Sequence, residues 1–172
     1  MGAPSEDFER YAAARWDTLV RAGVVLGCSA DQAEDLAQAT LLRCFVAWEK
    51  VQRADNPDAY TYRILLNQHR DRRRRRWWGE RPVDHVPEGA EGDHADRVVA
   101  SDAIRRALDD LGEDQRRVVV LRHLAQLSEL ESAQVLGVAP GTVKSRLSRA
   151  MSQLAASPHL SDDRAGGAHD HY

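Results

Sequence analysis

Apolar residues recur at helical spacing in two stretches of the chain and are nearly absent between them. In the first stretch Ala33, Leu36, Ala37, Thr40, Leu41, Cys44, Phe45 and Trp48 follow one another at the spacing of one helix face. Ser29, with Gln32 three residues on, forms a capping box ahead of them. Together they predict a helix over 30 to 50 with Asp35, Gln38 and Arg43 on its opposite, polar face. Phe8, Tyr11, Ala12, Trp16, Leu19 and Val20 predict an earlier helix over 5 to 26, with Gly27 just past its end. A polar loop is expected from Val51 to Asn56. Asn56 then caps, and Pro57 opens, a third helix that runs through AYTYRILLNQH into RDRRRRRWW.

The second periodic stretch begins near residue 98. Ser101 is placed to cap a short helix DAIRRALDDL that stops at Gly112, and Glu113 opens another, DQRRVVVLRHLAQL. Ser128 and Glu131 form a second capping box for ELESAQVL. Gly137 ends that helix, and GTVKSRLSRAMSQLAA starts the next about three residues later. This is the spacing of a helix-turn-helix, with Ala133 small at the crossing and Leu136, Val138, Val143 and Leu147 as the shared core. The expected fold class is all-α. It comprises an N-terminal helical domain (1–78), a flexible acidic linker (79–97), a helix-turn-helix domain (98–156) and a disordered tail (157–172).

Composition supports that division. The 172 residues are 42% hydrophobic and only 6% aromatic, enough for two small cores but not for one large barrel. The formal charge of −3 conceals a strong local polarity. Arg63 to Arg81 hold eight Arg against Asp71 and Glu80, whereas Pro82 to Asp96 hold five acids and no base. A basic patch on an otherwise acidic chain suits a polyanion met at one face. Five consecutive arginines, Arg72 to Arg76, repel one another, and contact with phosphates relieves that repulsion. Trp77 and Trp78 could stack on bases, but the area they would bury favours packing against the helical core.

Catalytic chemistry finds little to work with. Seven His are scattered along the chain, and His85, His94, His159, His169 and His171 fall in the linker or tail, where nothing would hold them in register. No Gly-rich phosphate loop is present, and Cys28 and Cys44 match no zinc-ligand spacing, so free buried thiols are expected. The chain is expected to be no enzyme and to need no metal or cofactor. No apolar run reaches the about 20 residues of a membrane span, and no secretory signal opens the chain, so no membrane insertion and a cytoplasmic location are expected.

DQAEDLAQATLLRCFVAWEKV, then NPDAYTYRILLNQHRDRRRRR, then LSELESAQVLGVAPGTVKSRLSRAMSQL, in this order, resemble the bacterial alternative sigma factors of the extracytoplasmic-function (ECF) group of the sigma-70 family. The resemblance covers 8 to 156 and is most specific in GTVKSRLSRA. It implies a protein that directs promoter recognition, promoter melting and transcription initiation. Its partners would be core RNA polymerase, through the β′ clamp helices and β flap, and promoter DNA; an anti-sigma factor is a further partner it admits. Carried over by residue, it sets Asp35, Gln38, Leu42 and Arg43 against the clamp helices. It assigns the loop Val51, Gln52, Arg53 to Asn56 and on to Asp58, together with Asn67, to a pocket for a base flipped from the minus-ten element. Arg63, Arg70, Arg73 and Arg74 would track nearby phosphates. In the last helix Lys144, Ser145, Ser148 and Arg149 would read the minus-thirty-five element, while Thr142 and Arg146 set its register on phosphates. Ala139 stands where that family commonly has a capping Ser, with Pro140 fixing the backbone instead. A second reading stays open: a dimeric helix-turn-helix repressor or activator of closed duplex DNA, its N-terminal domain a dimerisation or sensor module. The Asp35/Gln38 face and the Arg helix speak against it.

Overall fold

A computed structural model describes residues 4–79 and 102–160, and every regular element within them is a helix. The N-terminal domain holds α1 (Pro4–Val25), α2 (Ala30–Val46), α3 (Trp48–Arg53) and α4 (Pro57–Trp77). The C-terminal domain holds α5 (Asp102–Asp109), α6 (Glu113–Val119), a π-helical turn (Val120–Leu124), α7 (Glu129–Leu136) and α8 (Pro140–Ala155). From residue 80 the expected acidic linker lies outside the described residues, as do the expected cap Ser101 and the tail beyond 160.

α1 and α2 form a tight hairpin. Gly27 takes φ +95°, a left-handed turn that suits glycine, and the Ser29 capping box forms as expected, with Gln32 N–H donating to Ser29 Oγ at 3.3 Å. At the crossing, a Cβ on Gly23 would stand 2.8 Å from Ala33 Cβ, so the two backbones approach as closely as they do because neither residue is larger. The buried face of α2 is Ala33, Leu36, Ala37, Thr40, Leu41 and Cys44, the predicted stripe without its last members.

Those last members depart from the expectation. α2 breaks at Ala47 and the chain restarts as α3, so Val51, Gln52 and Arg53 are helical and the loop shrinks. The break swings Trp48 and Val51 inward onto Cys44, where the Trp48 ring meets Phe8 edge-on at 5.3 Å and Tyr11 at 5.2 Å. Phe45, expected in the core, is instead 51% exposed, touching Phe8 at 5.0 Å. The expectation for Trp77 and Trp78 is also overturned: they are 89% and 77% exposed, because α4 has outrun the helices that could cover them. Cys28 and Cys44 are free thiols, Cys44 buried and Cys28 half-buried.

α4 is anchored at its start. Asn56 Oδ1 accepts from the N–H groups of Asp58 at 3.0 Å and Ala59 at 3.1 Å, with Pro57 in the first turn. Asp58 then takes both guanidinium nitrogens of Arg15, at 2.7 and 2.9 Å, and the Tyr11 hydroxyl at 2.9 Å, tying α1 to α4.

In the C-terminal domain the Ser128 box, the α7 boundaries and Gly137 at φ +67° all match the sequence, and Ala133, Val143, Leu136, Val138 and Leu147 pack with Val118 as its core. The helix expected to run from Glu113 past Ala125 does not stay α. Ala125 N–H reaches back to Val120 O at 2.9 Å, a π-type bond, and Gln126 leaves the helix with φ +54°. This brings Val120, Leu121 and Leu127 into the same core as Leu19, Val20, Leu26, Tyr62 and Leu65 of the N-terminal domain. The two domains therefore share one apolar core.

His69 of α4 lies near that junction, only 4% exposed, and burial pushes its imidazole down to about 4. Glu113 opposes the shift, and Arg73, Arg117 and Arg116 add to it. Because the folded pKa is depressed, the unfolded chain takes up a proton near its ordinary value of 6.5 that the folded chain refuses until about 4. Stability should fall by up to roughly 3 kcal/mol as pH drops through that window. Denaturant unfolding between pH 7 and 4 checks this. His69→Gln should flatten the slope, and an unchanged slope would assign the acid sensitivity elsewhere.

Candidate nucleic-acid interface

Three solvent-facing surfaces carry the predicted residues. On α2, Asp35, Gln38, Leu42 and Arg43 are all exposed, as amphipathic spacing requires. The surface is more apolar than the sequence suggested, since Leu42 is 62% exposed and is joined by Phe45 and by Val46 at 81%. Val46 lies off the predicted stripe and Phe45 at its edge, which was the available signal.

On α4, Arg63, Asn67, Arg70 and Arg74 are exposed and recur at intervals of three and four, so they form one polar row. Asn67 belongs to this row rather than to the loop. It is ten residues along α4 from Pro57, about 15 Å at the helical rise, and it does not line the cavity beside the loop. Val51 is also removed from it, being fully buried with Cys44 and Trp48. Gln52 and Arg53 remain exposed, Arg53 lying 3.8 Å from Glu49. Beside them opens a cavity of about 430 Å³ lined by Tyr11, Arg15, Trp48, Gln52, Pro57 and Asp58. Trp48 Nε1 is buried without a hydrogen-bond partner. Tyr11 was read only as part of the apolar face of the first helix and Arg15 not at all, because both come from α1, far from the loop in the chain.

On α8, Lys144, Ser145, Ser148 and Arg149 are exposed, with Val143 and Ala150 buried behind them. Ser145 Oγ donates to Thr142 O at 3.1 Å. Arg146 is half-buried and held by Asp114 of α6 at 2.9 Å, which fixes α8 against α6. Ala139 caps α8 without a side-chain bond.

Two residues of the α4 surface are engaged by the other domain. Asn56 Nδ2 donates to Glu131 Oε1 at 2.8 Å, and this bond, with those from Ser128, holds the Glu131 carboxyl below its ordinary pKa. Arg73 pairs with Glu113, which also holds Arg117. Among the described residues no group of His, Cys, Asp and Glu is placed to hold a metal ion, and no helix is long and apolar enough to cross a membrane.

Residues 8–79 match sigma-70 region 2, and residues 101–154 match sigma-70 region 4. The RNA polymerase sigma-E factor of Streptomyces coelicolor is 38% identical over 157 residues, spanning 86% of this chain and 84% of that protein. The chain belongs to the sigma-70 family. An ECF RNA polymerase sigma factor, EcfG of Rhodopseudomonas palustris, is 36% identical over 143 residues, 77% of this chain and 75% of its own. Among solved structures, sigma factor RpoE of Bartonella quintana, crystallised with the anti-sigma factor NepR, superposes with a TM-score of 0.69 at 26% identity, covering 92% of this chain and 99% of that one. CnrH, in complex with the cytosolic domain of CnrY, gives 0.61 at 26% identity, covering 92% and 90%.

The region 2 match leaves no role for the N-terminal half as the sensor or dimerisation module of a repressor. As an ECF sigma factor, the protein binds core RNA polymerase and promoter DNA and directs transcription initiation. In this structure its regions 2 and 4 are closed on each other. Leu127, in the loop between the π-turn and α7, is buried at that contact, so Leu127→Asp should part the domains while leaving the helices intact. Small-angle scattering should show a larger radius of gyration at unchanged helical circular dichroism. Equal radii for the variant and the parent would show that this contact does not hold the domains together.

Proposed function

We propose that the exposed α2 face is the polymerase contact, that the α4 row and its neighbouring cavity take the melted minus-ten element, and that α8 reads the minus-thirty-five element. The observation that carries this reading is the arrangement of α4. Along α4 stands an exposed row of cations, Arg63, Arg70 and Arg74 around Asn67, and at the N-terminal end of the same helix opens a cavity whose walls include Tyr11, Trp48 and Gln52. Phosphates on the row position a strand, and an aromatic-walled cavity of about 430 Å³ is large enough to accept an unpaired base. The work is binding rather than catalysis: contacts at both DNA surfaces offset the few kcal/mol per step needed to unstack bases. Arg73 and Asn56 join the strand contacts once Glu113 and Glu131 release them, so the working state is the opened one. Gln52 and Arg53 flank the cavity mouth, and Thr142 and Arg146 set the register of α8, the latter through its pair with Asp114. Such a protein works beside the chromosome, in the cytoplasm. The relatives solved with anti-sigma partners make a protein of that kind a candidate partner here too.

The polymerase face is tested by Asp35→Arg combined with Gln38→Ala. Both side chains are exposed, so helical content should be unchanged while co-purification with core polymerase is lost. Unaltered co-purification would remove the assignment.

The two DNA surfaces should separate by readout. Lys144→Ala and Arg149→Ala should each reduce promoter binding by about 1–3 kcal/mol, the cost of a lost base-edge contact. Gln52→Ala should leave upstream duplex binding intact and lower the permanganate reactivity of thymines in the melted region. Normal melting by the Gln52 variant would place the flipped base elsewhere.

A further inference from the structure

A second cavity, of about 220 Å³, lies where the two domains meet. Its walls come from three places: Leu26, Gly27 and Cys28 of the α1–α2 turn with Gln32, then His69, Arg72, Arg73 and Arg76 of α4, and Arg116 from α6 of the other domain. Four guanidiniums border it, and no carboxylate does. Arg73 is turned to Glu113, Arg72 Nη2 donates to Asp35 O at 3.1 Å, and Arg116 stands 3.9 Å from Asp109. Two buried donors are left over: Arg116 Nε and His69 Nδ1 have no hydrogen-bond partner. His69 is 4% exposed, and desolvation disfavours its charged form, so it is a neutral ring able to donate one N–H. Arg116 is pressed against the turn, its Nη1 lying 2.6 Å from where a Cβ on Gly27 would stand.

Crowding four cations around two buried, unpartnered nitrogens is costly, and one ligand class relieves both costs, a compact anion rich in oxygen acceptors. The volume is below the about 300–1,000 Å³ of ordinary organic-ligand sites, which selects a small multiply charged group over a nucleobase. We propose that this cavity is a binding site for a small oligophosphate anion, bridged between Arg72 and Arg76 of region 2 and Arg116 of region 4. Because Arg116 reaches the cavity only when the domains are closed, the bound anion latches the closed state. The DNA backbone carries the same chemistry, so a single-stranded oligonucleotide is one arm of the test.

The test is calorimetric titration of the full chain with pyrophosphate at constant ionic strength. The expected result is saturable one-to-one binding that weakens about tenfold or more in Arg76→Gln and in Arg116→Gln. Arg75→Gln, in the same tract but outside the cavity, should bind as the parent does. The opened Leu127→Asp variant, which keeps every lining residue, should lose the site as well. Imidazole nitrogen resonances of His69 should move during the titration of the parent, a readout that a loss of folding in any variant does not affect. Binding that does not saturate, or that falls equally in Arg75→Gln, would reduce the cavity to ordinary counterion attraction and overturn the proposal. So would full affinity in Leu127→Asp, or a single-stranded oligonucleotide that depends on Arg76 and Arg116 where pyrophosphate does not. No readout involves polymerase, so the sigma assignment stands apart from the outcome.

Discussion

Burial of Val120, Leu121 and Leu127 against α1 and α4 sets which surfaces of the protein are open. Fully buried side chains of this size contribute about 1.5–3 kcal/mol each, enough to hold two small domains whose separate cores are modest. The π-turn makes the contact possible. An uninterrupted α-helix would carry residues 120 to 127 along one axis. The Ala125-to-Val120 bond and the left-handed Gln126 instead fold the chain back, so that Leu127 rejoins Leu121 on the same side. Asn56–Glu131 and Arg73–Glu113 are polar pairs at the rim of an apolar contact, and exposed pairs of this kind add orientation more than energy.

Much of this fold was legible in the residues because its signals are local. The capping boxes at Ser29 and Ser128, Asn56 before Pro57, and Gly27 and Gly137 at left-handed turns each act within four residues, and each formed where the sequence placed it. What was not legible depends on contacts distant in the chain. Nothing near Ala47 announces a break; beyond it Trp48 and Val51 pack with Phe8 and Tyr11 of α1, contacts distant in the chain. The π-turn has the same origin, in the N-terminal domain that it packs against. Trp77 and Trp78 failed in the opposite sense: large apolar area argued for burial, and among the described residues no partner surface lies at the end of α4.

The candidate site divides the same way. Helix faces could be read from spacing, which is why Asp35, Gln38, Lys144, Ser148 and Arg149 are exposed as expected. A pocket needs three-dimensional adjacency. Asn67 and the loop are joined in the family resemblance, whereas the cavity beside the loop is lined by Tyr11 and Arg15 of α1, which nothing in the spacing of the loop announces.

Closure bears unequally on these surfaces, and under the proposed assignments this would order the events of initiation. Among the described residues the α2 face stays exposed while the domains are closed; Arg72 bonds the backbone carbonyl of Asp35, which leaves the Asp35 side chain available. Asn56 and Arg73, by contrast, are committed to Glu131 and Glu113. A DNA strand that needs them binds only the open population, and its apparent affinity is reduced by the closed fraction. Under the proposed assignments polymerase would face no such reduction at α2. Core enzyme could then engage first, and if it also held region 4 apart from region 2 it would remove the penalty on the DNA that follows. Phosphates would replace the two carboxylates as partners of the α4 surface. The acids of region 4 would thus compete with DNA in the free protein, through the same residues that cap and brace its own helices, Glu131 in the Ser128 box and Glu113 beside Arg117.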